Sequence, residues 1–247
     1  MKARLKKALQ KLLGFDRYLF LFSVAVITTL RSNRKERDFL HFLKMIPDGG
    51  LVLDVGANIG IMSVWLGRHL PKSDILAYEP VPQNIKALKR VLKYYKITNV
   101  TVAEKALGDK NGEVEMVMPV LEDVKMQGLS HVVHHSITEF NEGKKFTAPA
   151  ERLDDCALLA AQTKPLRALK LDVENFEYFV LKGGEETIRH HRPLIYTELW
   201  ENENRARCFD LLTEMGYRIK VLHRNTLEDY RPEVHTTQNF FFIPPEA

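Results

Sequence analysis

Cysteine is nearly absent: the 247 residues contain two, Cys156 and Cys208, in neither C-x-x-C nor metal-ligand spacing. No disulfide framework or thiolate zinc site follows from such a pair, and two buried thiols suit a reducing compartment, the cytoplasm. Long apolar runs are also missing. Near the N-terminus Tyr18 to Leu30 is 13 residues without a charge, too short to span a bilayer as a helix. No small-residue cleavage pattern precedes Arg31-Ser32-Asn33-Arg34, which disfavours a secretory leader. There is no internal repeat and no low-complexity tract, and 45% hydrophobic with 28% charged residues is the balance of a globular domain.

What charge there is lies unevenly. Residues 1–44 hold 11 Lys+Arg against 3 Asp+Glu, which leaves 25 against 29 for the rest of the chain. A mildly acidic main body argues against a broad nucleic-acid footprint. In the basic part, Leu5, Ala8, Leu9, Leu12 and Leu13 recur at helical spacing, with Lys2, Lys6, Lys7 and Lys11 mostly on the other side. This is a basic amphipathic helix, fit either to pack on the domain behind the site or to lie on a membrane surface at its inner face, through residues 1–30.

The chemistry begins at Leu51 to Gly60, L-V-L-D-V-G-A-N-I-G, an apolar strand running into a glycine turn and then a helix. Tyr78-Glu79-Pro80 ends a second short strand, and Glu79 lies 23 positions after Gly56. A carboxylate about 20 residues beyond the turn is placed to meet a ribose diol. The turn reads Asp54-x-Gly56-x-Asn58-x-Gly60, not the G-x-G-x-x-G of dinucleotide sites. Its pattern resembles the S-adenosylmethionine (AdoMet) turn of Rossmann-like methyltransferases. Glycines at 56 and 60 permit left-handed angles and close approach. Free amides at the following helix start suit the AdoMet carboxylate, and Asp54 would face its ammonium, directly or through water.

Strand and helix patterns alternate from Leu51 to Ala103 and again from Ala168 to Ile243. This predicts an α/β, Rossmann-like doubly wound sheet, seven-stranded and mostly parallel with an antiparallel last strand. Residues 1–46 read as a helical extension and 47–247 as the main domain, with an insertion at about 112–153. In that insertion Gly112 to Pro119 reads as an exposed strand, Phe146 to Leu153 as its partner, and 120–145 as a polar loop.

With these segments placed, the chain resembles the FkbM-type methyltransferase family over about residues 45–245. The similarity rests on L-D-V-G-A-N-I-G at 53–60, Y-E-P-V-P at 78–82, A-L-G-D at 106–109 and R-L-D-D at 152–155. L-K-L-D-V-E-N-F-E at 169–177 and N-F-F-F-I-P at 239–244 complete the ordered set. The resemblance implies AdoMet-dependent O-methylation of a hydroxyl on a sugar, glycolipid or other small-molecule natural product. It implies that Gly56, Ala57, Asn58 and Gly60 cradle the methionine part, that Glu79 and Pro80 meet the ribose, and that Glu104 to Ala106 flank the adenine. Asn175 stands where the family has glycine, and asparagine tolerates left-handed angles better than most residues.

Strand ends in this fold point into one crevice. Asp172, Glu174 and Glu177 cluster at one of them, and Asp172 is the first candidate for a base or acceptor-orienting group. Glu174 is a second carboxylate there, and His131 is the alternative proton acceptor. Glu174 and Glu177 also suit helix capping. No second ligand set is present, so no metal is expected. Two other readings share the cofactor half. A nucleic-acid methyltransferase lacks its Asn/Asp-Pro-Pro-aromatic or Pro-Cys motif here; a non-catalytic module tethered by residues 1–30 is the second.

Overall fold

The structure, a computed structural model, describes residues 3–121, 124–137 and 142–245. Helices α1 (Ala3–Leu13), α2 (Phe15–Thr29) and α3 (Arg37–Met45) precede the first strand, β1 (Leu51–Val55). Then come α4 (Ile61–His69), β2 (Asp74–Tyr78), α5 (Pro82–Tyr94) and β3 (Val100–Ala103). Five short or hairpin strands follow: β4 (Ala106–Leu107), β5 (Gly112–Leu121), β6 (Val124–Lys125), β7 (His131–Val132) and β8 (Gly143–Glu151). The last part holds α6 (Ala157–Ala160), β9 (Leu166–Leu171), α7 (Glu177–Lys182), α8 (Glu185–His191), β10 (Leu194–Glu198) and α9 (Glu203–Glu214). It closes with β11 (Arg218–His223), β12 (Thr226–Asp229) and β13 (Asn239–Ile243).

The large sheet has the order β12-β11-β13-β10-β9-β1-β2-β3. Strands β10, β9, β1, β2 and β3 are parallel, and β13 inserts antiparallel between β10 and β11. This is the doubly wound mostly parallel sheet that the pattern predicts, with eight strands in place of seven. The extra strand, β12, returns along β11 through Arg224 and Asn225, whose φ angles of 48° and 72° make the left-handed two-residue turn of a tight hairpin. Arg-Asn is not a common turn pair, so the sequence gives little sign of it.

Both sheet faces are covered, which is why β1 is buried at all five positions. Leu51, Leu53 and Val55 pack with Val180 and Leu181 of α7, Ile188 of α8 and Leu211 of α9. Val52 faces the other way, with Phe39, Phe42 and Leu43 of α3 and Leu66 of α4. On that side α2 lies against α4 and α5: Ile27 packs with Val64, Leu88 and Val91, and Trp65 donates its indole N–H to the Ile27 carbonyl (3.2 Å). Tyr18 and Leu19 pack on Ile59 of the glycine turn, and the Ser23 hydroxyl reaches the Leu19 (2.8 Å) and Ile59 (3.3 Å) carbonyls. Residues of the N-terminal helices therefore share the core of the main domain and touch the turn itself.

In the second sheet β8 pairs antiparallel with β5 from Gly112↔Ala150 to Pro119↔Gly143, the partnership expected between those segments. Strand β5 is exposed at Gly112, Glu113, Glu115 and Val120, as expected, but Met116, Val117 and Met118 are buried where β7 and β8 flank it. The polar stretch after it carries β6 and β7; residues 122, 123 and 138–141 of that stretch lie outside the described part.

Candidate active site

Beyond the carboxyl ends of β1, β2 and β9 lies a cleft of about 590 Å³, lined among others by Gly56, Asn58, Glu79, Pro80, Asn84, Ala106 and Asp172. The glycine turn builds its floor. Gly56 has φ +76°, and a β-carbon there would sit 1.8 Å from the Asp172 carbonyl oxygen, so only glycine fits. Asn58 is itself left-handed at φ +50°. That conformation aims its backbone N–H at Glu79 Oε2, 2.7 Å away. The other oxygen of Glu79 accepts from the Val81 N–H (2.9 Å) and the Asn84 side-chain amide (3.1 Å). Three donors thus hold one almost fully buried carboxylate at the cleft wall. Burial pushes Glu79 up to about 7 even though these hydrogen bonds pull the other way.

Beneath the turn sits Lys170, a buried lysine on β9 and a register partner of Asp54 on β1. Its Nζ donates to the Gly56 carbonyl (3.0 Å) and lies 3.4 Å from Asp54 Oδ1 and 3.5 Å from Asp172 Oδ2. Burial would lower its pKa, but Asp172 and Asp54 outweigh that and hold it above the usual lysine value. One ammonium therefore ties the glycine turn to the strand end that presents Asp172.

The carboxylates around Asp172 differ from one another. Asp172 has 41% of its side chain exposed and lines both the cleft and an adjoining cavity of about 860 Å³. Glu174 lines only the cleft, at φ +55°. Burial, then the charges of Asp172, Glu177 and Glu198, push it up to about 9. A carboxyl raised this far favours its protonated form near neutral pH, which sets a hydrogen-bond donor beside Asp172. Burial and then Asp172 push Glu198, at the end of β10, up to about 7. Glu36, just before α3, is raised for the same two reasons. Asn175 takes φ +74°, as its tolerance of left-handed angles predicts, and its side-chain oxygen accepts from Asn202 (2.7 Å). Glu177 is buried and accepts from the Val173 N–H (2.9 Å), so it braces the loop and does not face the cleft.

Four further expectations need correction. Asp54 is fully buried, with Oδ2 accepting from the Ser63 hydroxyl (2.6 Å), so it supports the turn from below and does not face a ligand. Gly60 starts α4 at φ +84° and serves close packing, since a β-carbon would lie 2.6 Å from Leu88 Cδ1. Glu104 is exposed and ion-paired with Lys89, while Lys105 and Ala106 line the cleft in its place. His131 is buried on β7 with Nδ1 bonded to the Leu129 carbonyl (2.9 Å); its neighbours Ser130 and Val132 line the cleft and it does not. Ala57 is buried and lines the second cavity. Sequence reasoning missed Lys170 as a site residue, although a lysine inside the apolar run A-L-K-L was a readable signal.

Whether AdoMet suits this cleft can be tested on polar atoms left without partners. Asn58 Oδ1, Asn84 Oδ1 and Ser130 Oγ are buried and unpaired, and all three residues line the cleft. Buried polar atoms require partners, and a ligand carrying ribose hydroxyls, an adenine amine and an ammonium supplies them. Val81, Leu107, Met116, Val132 and Phe176 form an apolar wall suited to a base. The residues fit the group. Among the described residues one cluster, His223, Glu228 and His235, has metal-ligand proximity. His235 Nδ1 accepts the Arg231 N–H (3.1 Å), so the ring is the neutral tautomer with its proton on Nε2, which lies 3.6 Å from Glu228 Oε2 and offers no lone pair to a metal.

A sheet of this order, with a glycine turn held by the carboxylate at the end of the second strand, defines a Rossmann-like methyltransferase. The methyltransferase FkbM domain matches residues 54–219. The chain belongs to the FkbM methyltransferase family, whose fold implies AdoMet as the methyl donor. It is 29% identical over 186 residues to Methyltransferase 1 of Beauveria bassiana, covering 71% of this chain and 75% of that one. To the 2-O-methyltransferase NoeI of Sinorhizobium fredii it is 25% identical over 237 residues, covering 87% and 95%. The solved methyltransferase FkbM from Methylobacillus flagellatus shares the fold, with a TM-score of 0.51 at 18% identity over 79% of this chain. This chain spans 44% of that protein's length.

Proposed function

We propose that this methyltransferase is O-directed, and that its acceptor is a hydroxyl of a sugar, a glycolipid or another small natural product. The observation that carries the reading is the position of Asp172, whose carboxylate borders both the cofactor cleft and the adjoining cavity. AdoMet, when bound, supplies an electrophilic methyl group. Gly56 to Asn58 and Glu79 hold the donor, and the second cavity holds the acceptor against Ile61, Met62 and Met126. Asp172 then accepts the hydroxyl proton or orients that hydroxyl for in-line approach, with Lys170 fixing the carboxylate's position. Glu174, its carboxyl raised by burial and then by the neighbouring carboxylates, sets a hydroxyl donor beside Asp172 in the cleft. A donor next to an acceptor suits a polyhydroxylated substrate. The name of the 2-O-methyltransferase relative supports the same direction.

The test is incubation with AdoMet and a panel of glycosides, glycolipids and hydroxylated natural products, with the methyl position assigned by NMR. A methyl ether is expected; a product methylated on nitrogen, sulfur or carbon overturns the reading. Asp172→Asn is expected to lower turnover by about 10²–10⁴ while AdoMet affinity stays within about threefold.

A further inference from the structure

The N-terminal helices leave an unusual surface. Six large hydrophobic residues stand exposed among the described residues, and three of them, Leu12 (81%), Leu21 (49%) and Tyr94 (59%), lie on α1, α2 and α5. Helices α2 and α5 pack side by side. Phe20 meets Tyr94 edge-on at 5.6 Å, the Arg90 guanidinium lies 4.0 Å over Phe20, and Lys86 pairs with Asp16. Along α2, Arg17 and Leu21 are one turn apart and both exposed. Along α5, Lys86, Arg90 and Tyr94 repeat the same spacing, with Lys93 beside them. Helix α5 carries four basic residues and no acid, and residues 3–29, which hold α1 and α2, carry five Lys+Arg against one Asp. Exposed apolar tips set among cations match the two terms of interfacial binding, apolar insertion and attraction to anionic headgroups. No helix among the described residues is long and apolar enough to cross a membrane.

We infer that α1, α2 and α5 form a docking face for an anionic membrane surface, with Leu12, Leu21 and Tyr94 entering the headgroup layer. Its position gives the contact a purpose. Lys6 of α1 and Phe22 of α2 line the second cavity, so, resting on the reading of that cavity as the acceptor site, the two helices that meet lipid also wall the acceptor's space. Docking sets that cavity beside the bilayer, where a lipid-linked acceptor presents its hydroxyl. Nucleic acid or a second copy of the chain would use the charge or the apolar tips, but neither calls for both together.

Flotation of the full chain with phosphatidylcholine vesicles, with or without about one-third phosphatidylglycerol, tests this. Binding is expected to the anionic vesicles only, and to fall about tenfold or more when NaCl is raised from about 0.1 to about 0.5 M. Leu12→Glu with Leu21→Glu should reduce it by a similar factor, as should Lys11→Glu with Arg17→Glu and Lys93→Glu. All these side chains are exposed, and unchanged circular dichroism and AdoMet binding report an intact fold. Equal binding to neutral vesicles, or full binding by both variants, overturns the inference. So does absence of vesicle binding, whether or not the wild type instead retains a short DNA duplex or self-associates through these residues. AdoMet affinity does not depend on this face, so failure here leaves the O-methyltransferase reading standing.

Discussion

Glu79 makes AdoMet affinity depend on pH. Its carboxylate is pushed up to about 7, and ribose hydroxyls are donors, so only the ionised form accepts them well. If the ligand binds the ionised form alone, the apparent Kd scales with the inverse of the ionised fraction. That factor is about 11 at pH 6 and about 1.1 at pH 8, roughly a tenfold loss of affinity over two pH units. Glu79→Gln cannot titrate, so its affinity should be flat over that range. At pH 8 it should be at least about tenfold weaker, or 1.4 kcal/mol. A carboxamide also cannot satisfy all three donors. With its oxygen on either side, the Asn58 or the Val81 N–H is left facing an NH₂ group, at a cost of about 1–3 kcal/mol. Stability carries the opposite sign. The folded pKa lies above the unfolded one, so the folded state holds the proton between about 4.5 and about 7. Stability is greatest below about 4.5 and falls as pH rises through about 7, by at most about 3 kcal/mol from this group. Calorimetric titration at pH 6, 7 and 8, with thermal melts of both proteins, measures each part. An affinity independent of pH in wild type, or the same slope in Glu79→Gln, would refute the reasoning.

Gly56→Ala should abolish measurable AdoMet binding. The left-handed angle alone costs about 1–2 kcal/mol, and its β-carbon meets backbone at 1.8 Å, so Tm should fall by at least about 4 °C; an unchanged melt counts against the turn geometry. Lys170→Met leaves Asp54 buried without its cation and should destabilise by about 3–5 kcal/mol. Adding Asp54→Asn should recover part of that loss in a denaturant series, and no recovery would mean the pair is not coupled. Leu19→Ala, under the glycine turn, should cost about 2–5 kcal/mol and be visible by urea unfolding; a loss under 1 kcal/mol would show that α2 is not part of the domain core.

The outline of the site is local in sequence, and its wiring is not. Gly56 and Glu79 follow from the order strand, turn, helix, strand, and both line the cleft. The three donors on Glu79 depend on the left-handed angle of Asn58 and on the first residues of α5, which no spacing states. Lys170 stands out within the apolar run A-L-K-L, but its partner does not: only the pairing of β9 beside β1 sets it against Asp54. That same register turns Asp54 from a ligand contact into a buried support. Glu104 and Ala106 differ by phase: the chain leaves β3 and re-pairs as β4 on β8, which sends Glu104 outward to Lys89. His131 was misread because β7 pairs with a strand some 15 residues earlier, a contact outside any local pattern.

Asp54 and Lys170 are neighbours across two strands, 116 positions apart along the chain, and the cleft above them draws on six separate stretches of sequence. No half of the polypeptide contains a usable site: residues 51–84 hold the turn and Glu79 without Lys170 and Asp172, and residues 166–176 hold Lys170 and Asp172 without the turn. Occupancy of the cleft therefore reports the pairing of β9 with β1. In a cell-free translation reaction, the onset of AdoMet binding should lag synthesis of β9. A dye displaced from this cleft would thus serve as a clock for tertiary assembly.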